Sequence, residues 1–401
     1  MLTLDKVYTA AYILRECARK TDLIAAPNLS ENHNLYLKTE NLQVTGSFKL
    51  RGAYYKISQL TDEEKSRGIV ACSAGNHAQG VAMSASRKGI PATICMPDSA
   101  PVMKVDSTRR LGANVELVRG VYDDAHDRAL EIVEQTGATF IHPYDDDYVI
   151  AGQATIGLEI LDQLEDVEAI IAPVGGGGLI SGIAFAVKSL KPSVKVYGVQ
   201  ASGAASMFNS FRAHQRQTLD SVSTFADGIA VKNPGETTYE IISKYVDDIV
   251  CVSEDEIAAA ILALIEKQKL IAEGAGAVPV AAAMFHKLPI EGRKAVCVVS
   301  GGNIDVNILS RVITRGLMMT GRNVNMTIEL VDKPGQLQQV SEIIASCGAN
   351  VVSVYYDHGD TNMAINSCFL KLALETLNDE QIEMIKQELA KAGFRIVTER
   401  V

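Results

Sequence analysis

The chain has 401 residues, too many for one ordinary hydrophobic core, and a formal net charge of −10. Two or three domains are therefore expected, and a nucleic-acid surface built on clustered Lys and Arg is excluded. With 47% hydrophobic residues but no apolar run near the roughly 18 residues of a membrane span, small-molecule chemistry away from lipid is the expectation.

The first elements fit that frame. Val7, Ala11, Leu14 and Ala18 recur at helical spacing, beside acidic residues and without a small-residue cleavage site, so a helix of the mature protein is predicted rather than a signal peptide. The seven cysteines are odd in number, scattered and free of any Cys-x-x-Cys pair, which predicts reduced core thiols in the cytoplasm and no zinc site.

From Leu35 to Val299, short β-branched runs alternate with helical stretches. They lie at Ile69 to Cys72, Ala92 to Met96, Asn114 to Val118, Thr139 to His142, Ala169 to Val174, Lys195 to Val199 and Ala295 to Val299. This is the pattern of a largely parallel α/β sheet with helices on both faces, split at this length into two lobes with a cleft.

Several loops in this region carry chemistry. Lys49 lies between Phe48 and Leu50 in a glycine-flanked segment, a partly apolar setting that lowers an amine's pKa. Ser73-Ala74-Gly75-Asn76-His77 joins a strand to a helix and offers N–H groups and a hydroxyl to a carboxylate. Gly175-Gly176-Gly177-Gly178 and Leu179 follow the next such strand. Each glycine costs roughly 0.5–1 kcal/mol of ordering entropy relative to alanine, which converging N–H groups on a phosphate at a helix start would justify. A dinucleotide fingerprint fails there, since the position six from Gly175 is Ile180, and the following strand ends in Gln200-Ala201 rather than an acid. Ser300-Gly301-Gly302-Asn303 closes the series.

The last 76 residues change pattern. Strands at Met326 to Leu330, Val351 to Tyr356, Cys368 to Glu375 and Phe394 to Thr398 alternate with two helices, one stopping at Cys347-Gly348 and one capped by Asn378. The order βαββαβ is ferredoxin-like. The expected division is 1–318 for the two-lobed part, 319–325 for a linker and 326–401 for the tail.

In its ordered set of motifs the chain resembles the fold-type II pyridoxal-phosphate enzymes, and within them the threonine and serine dehydratases, whose catalytic lysine sits in a Ser-Phe-Lys-x-Arg-Gly-Ala segment like Ser47 to Ala53. The resemblance implies pyridoxal 5′-phosphate held by Phe48, Lys49, Asn76, Gly175, Gly176, Gly177, Gly178, Leu179 and Ser300. Asn76 would meet the phenolic oxygen and Ser300 the pyridine nitrogen. It implies Lys49 as the imine-forming base, and Ser73, Ala74, Gly75, Asn76 and His77 around an amino-acid substrate. The expected reaction is dehydration and deamination of threonine to 2-oxobutyrate and ammonia, with serine a secondary substrate.

Ala74 stands where serine racemases carry a second serine, and a methyl group cannot move a proton. Ser223 replaces the glutamate that some relatives use beside Asp227 to bind a divalent cation, so no firmly bound divalent metal is expected, with a monovalent ion left open. Glu273 resembles a family acid near the cofactor, while stabilisation of a helix start explains it nearly as well. Arg51 reads as a structural anchor, with a phosphate role left open.

The tail resembles the ACT regulatory domain through its Lys-Pro-Gly-x-Leu turn and Gly348-Ala349-Asn350. That implies association into a homo-oligomer and an amino-acid effector near Pro334, Gly335 and Asn350; isoleucine or valine would suit a biosynthetic enzyme, other ligands a degradative one. A non-enzymatic amino-acid sensor is the competing reading, and the intact Lys49, Asn76, glycine loop and Ser300 speak against it.

Overall fold

Among the described residues, ten strands build the larger part of the fold: β1 (Leu23–Ala25), β2 (Asn34–Lys38), β3 (Ile69–Cys72), β4 (Ala92–Pro97), β5 (Asn114–Val118), β6 (Thr139–Phe140), β7 (Ala169–Pro173), β8 (Lys195–Ala201), β9 (Asp248–Val252) and β10 (Lys294–Val298). The computed structural model describes residues 1–29, 34–358 and 366–397, and it divides into two compact units, Met1–Asp305 and Val306–Val401.

In the first unit, six strands run in the order β1-β2-β10-β7-β8-β9 and four in the order β5-β4-β3-β6. All neighbours are parallel except β1 with β2. The strands expected from the sequence are present, and β1, β2 and β9 join them as strands that the alternation had not disclosed.

Strand order locates the cleft. In the four-stranded sheet the chain moves outward through β3, β4 and β5 and then returns to the other side of β3 as β6. In the six-stranded sheet it moves through β7, β8 and β9, then returns beside β7 as β10. Helices must leave opposite faces at each reversal, which opens a crevice beyond the strand carboxyl ends. Beyond β3 comes Ser73, beyond β7 Gly175, and beyond β10 Ser300.

Lys49 opens the helix Lys49–Ser58, which packs between helices Asn76–Lys88 and Asp147–Gln163. The approach is close enough that a Cβ on Gly152 would stand 2.6 Å from Arg51 O. The amide of Gly52 also donates to Gln153 Oε1 at 3.2 Å. A second lock lies beneath: Arg51, 1% exposed, forks onto Glu40 (Nε–Oε2 and Nη2–Oε1, both 2.8 Å) and reaches Glu159 Oε1 at 2.6 Å, which Lys38 also meets through Oε2 at 2.6 Å. Burial alone would raise the Glu40 carboxyl; the guanidinium more than reverses this and holds it below the usual range. Arg51 is thus an anchor for the lysine helix, and the phosphate role left open is not where its side chain points.

The second unit holds β11 (Asn323–Val331), β12 (Asn350–Asp357), β13 (Ser367–Glu375) and β14 (Arg395–Val397), ordered β12-β13-β11-β14 and wholly antiparallel. Helices Gln336–Ser346 and Asp379–Lys391 complete βαββαβ, with Gly348 at φ +78° and the Asn378 side chain capping Gln381 N–H. The last strand was expected to reach Thr398, which lies outside the described residues.

The expected division needs adjustment. Helix Val306–Met319 groups with the second unit, and the segment taken as a linker is pinned rather than free. Thr376 donates its N–H to Arg322 O at 2.9 Å and its hydroxyl to Gly321 O at 2.7 Å, and β11 already begins at Asn323. The proposed effector residues also part company. Asn350 pairs with Glu375, which pairs with Asn323 at the start of β11, whereas Pro334 and Gly335 follow its end. Eight strand steps separate them, on the order of 25 Å, so one chain cannot bring all three to one ligand.

Candidate active site

The three loops beyond β3, β7 and β10 and the start of the lysine helix meet around a cavity of about 630 Å³ in the first unit. Every catalytic, cofactor and substrate residue expected from the sequence lines it: Phe48, Lys49, Ser73 to His77, Gly175 to Leu179 and Ser300.

Lys49 Nζ donates to Pro143 O at 2.8 Å and lies 5.3 Å from the Phe48 ring centroid. Burial is the main cause that brings its pKa down to about 8, with Glu273 partly opposing. An appreciable share of neutral amine therefore exists near neutrality, as nucleophilic or base chemistry requires. When the protein is mixed with an aldehyde reagent, the rate of covalent capture at Lys49 should rise with pH through a midpoint near 8, because only the unprotonated amine reacts. A midpoint near the ordinary lysine value of about 10.4 would refute the buried setting.

The glycine loop is built for close approach. A Cβ on Gly176 would lie 2.4 Å from the Tyr144 ring, and Gly177 has φ +98° with Thr238 packed against it. No backbone carbonyl among the described residues accepts from the N–H groups of Gly175 to Ile180, while Ser181 N–H closes onto Gly177 O at 2.9 Å to begin the helix ladder. Unpaired N–H groups at a helix start, beside a cavity, fit a dianionic phosphate.

At the second loop, Ser73 Oγ accepts from Gly75 N–H at 3.1 Å, leaving the amides of Ala74, Asn76 and His77 at the start of helix Asn76–Lys88. Asn76 is clamped: Nδ2 donates to Glu273 Oε1 at 2.7 Å and Oδ1 accepts from Asn303 Nδ2 at 2.8 Å. One Nδ2 hydrogen remains to offer. The His77 ring turns away to Ile141 O at 2.8 Å, and burial pushes its pKa down to about 3; its imidazole is structural, and only its backbone belongs to the loop.

Glu273 is 4% exposed, and burial first, then Asp227, raises its carboxyl to about 7. It is more than a helix start, because it holds Asn76 across the two lobes. Asp227 is itself paired with Lys104 at 2.5 Å across the cavity. The sequence reading had no role for Lys104, Asn303, Pro143 or Tyr144. The Pro143 carbonyl is set by His142 Nδ1, which accepts from the amides of Tyr144 and Asp145, and the signal available beforehand was only that these residues follow a strand.

A buried lysine with a lowered pKa, beside a glycine loop and a serine loop with N–H groups free of backbone partners among the described residues, fits an enzyme that uses a phosphorylated aldehyde cofactor. The profile of the family described as pyridoxal-phosphate dependent enzyme matches residues 14–301, and this chain belongs to that family; its cofactor is pyridoxal 5′-phosphate. Over 398 residues, 99% of each chain, it is 49% identical to an L-threonine ammonia-lyase of Thermotoga maritima. With an Escherichia coli L-threonine dehydratase, catabolic TdcB, it shares 47% identity over 315 residues, 78% of this chain and 96% of that one. Among solved structures it resembles processed threonine deaminase isoform 2 from Solanum lycopersicum (TM-score 0.74, 39% identity, 79% of this chain and 90% of that) and maize serine racemase (TM-score 0.74, 33% identity, 79% and 98%).

Proposed function

We propose that this protein dehydrates and deaminates L-threonine to 2-oxobutyrate and ammonia, with L-serine converted to pyruvate as a secondary reaction. The observation that carries the reading is the meeting of Lys49, the glycine cradle and the Ser73 to His77 loop in one cavity. Similarity along the full length to a threonine ammonia-lyase supports the substrate class.

Pyridoxal phosphate, when bound, would supply an electron-withdrawing ring that stabilises negative charge at the α-carbon. The chain's own residues do the rest. Lys49 Nζ holds the cofactor through its amine and, when free, removes the α-proton. The amides of Gly175 to Leu179 hold the phosphate, and the Ser73 to His77 loop holds the substrate carboxylate. Ser300, a neutral hydroxyl, cannot keep the pyridine nitrogen protonated, which weakens the ring as a sink and favours elimination over transamination. Loss of water leaves an enamine, whose tautomerisation and hydrolysis give one 2-oxo acid and one ammonia per threonine.

Purified protein given L-threonine should release 2-oxobutyrate and ammonia in equal amounts. Absence of the oxo acid with the cofactor bound would sink the assignment. The likeness to a serine racemase raises a second reading, against which Ala74 argues. Wild-type protein should form no D-serine, while Ala74→Ser, which sets a hydroxyl on the far side of the substrate, should yield measurable D-serine by chiral chromatography.

For the second unit we propose an ACT-type regulatory role in a cytoplasmic homo-oligomer. β12 is an edge strand with Val352, Val354 and Tyr355 exposed. Antiparallel pairing of two copies along β12 would carry Asn350 of one copy toward the Pro334-Gly335 turn of the other, reuniting the expected effector residues across the pair. Isoleucine and valine are the first ligands to titrate for a biosynthetic enzyme of isoleucine formation; a response only to other ligands would favour a degradative role.

A further inference from the structure

Away from the catalytic cavity, one group of three potential metal donors occurs among the described residues: Asp332, His358 and Cys368, whose ligating atoms lie within 4.8 Å of one another. Sheet register explains why residues so far apart in sequence meet. Cys368 on β13 pairs with Leu330 on β11. On its other side β12 pairs Asp357 with Phe369, so His358 continues the register opposite Cys368. Side chains two apart share a face, which sets Asp332 on the face of Leu330 and Cys368. Its amide is anchored to Asn366 O at 2.9 Å.

The three donors form a floor and a rim. Cys368 is 1% exposed, whereas the Asp332 and His358 side chains are 58% and 56% exposed. His358 Nδ1 stands 4.0 Å from Asp332 Oδ2, and its ring stacks on Tyr356 with centroids 6.0 Å apart. One sulfur, one imidazole nitrogen and one carboxylate oxygen suit a borderline cation; calcium and magnesium demand all-oxygen sites. Zinc takes these donors at about 2.0–2.3 Å, which puts neighbouring donors about 3.4–3.8 Å apart in a tetrahedron. Side-chain rotation of the two exposed residues closes the remaining gap.

We propose that Asp332, His358 and Cys368 form a site for a zinc-class divalent cation in the C-terminal unit, with a fourth coordination position open. This departs from the expectation of no firmly bound divalent metal, which weighed cysteine spacing and the Asp227 segment; neither bears on donors that only an antiparallel register brings together. The inference stands apart from the amino-acid effector reading, since it is tested by metal binding alone.

The test uses full-length holoenzyme without a histidine tag, freed of metal by chelator and titrated with Co²⁺ against the metal-free spectrum. One Co²⁺ per chain is expected, with tetrahedral visible bands and a thiolate charge-transfer band, both displaced by Zn²⁺. Outer-shell losses already weaken metal sites roughly 10–100-fold, so His358→Ala and Cys368→Ser should each weaken binding at least 100-fold. Cys347→Ser should leave it unchanged. Because Cys368 is buried, His358→Ala and Asp332→Asn decide the matter where Cys368→Ser does not fold. Failure to bind Co²⁺ or Zn²⁺ stoichiometrically at micromolar concentration, or equal binding in the rim variants, would overturn the proposal.

Discussion

Lys49→Ala is expected to abolish oxo-acid formation from threonine, by at least roughly 10³–10⁴-fold, because one side chain both anchors the cofactor and moves the α-proton. The fold should survive. The Lys49 ammonium packs against the Phe48 ring and donates to one carbonyl, Pro143 O, and loss of that bond costs about 1 kcal/mol. Three measurements separate chemistry from structure: steady-state turnover, the visible absorbance of protein-bound cofactor after gel filtration, and the unfolding midpoint. Turnover within tenfold of wild type would remove Lys49 from the mechanism, and with it the proposed reaction.

Arg51→Met should leave the catalytic residues in place chemically yet cost about 3–5 kcal/mol of stability, since Glu40 would remain buried with its guanidinium partner gone. Glu40 is 0% exposed, and both its oxygens accept from Arg51. Arg51→Lys should recover only part of the loss, because an ammonium cannot fork onto Glu40 while also reaching Glu159. Denaturant unfolding of the holoenzyme reads the effect, and an unchanged midpoint would contradict the anchoring role. The folded fraction should still bind cofactor, which distinguishes an anchor from a phosphate ligand.

Much of the site could be read along the chain because its parts are local devices. A glycine run at a strand end, a lysine opening a helix and a serine after another strand each have a short-range reason to be there, and all line the cavity. Local reading failed where partners come from afar. Thr376 ties down the segment taken for a linker, and Asn350 sits at the far end of the sheet from Pro334 because strand direction, rather than sequence distance, separates them.

By itself, then, the sequence determined the α/β architecture with its ferredoxin-like tail and picked out the lysine and the glycine loop that line the cavity, since periodicity and glycine conformation act over a few residues. Tertiary structure alone decided that Lys49 faces Pro143 and Glu273, that His77 points to Ile141, that Glu273 grips Asn76, and that Arg51 is enclosed by carboxylates. The physical reason is common to all four: a side chain's pKa and hydrogen-bond partners are set by burial and by charges that folding brings from elsewhere in the chain.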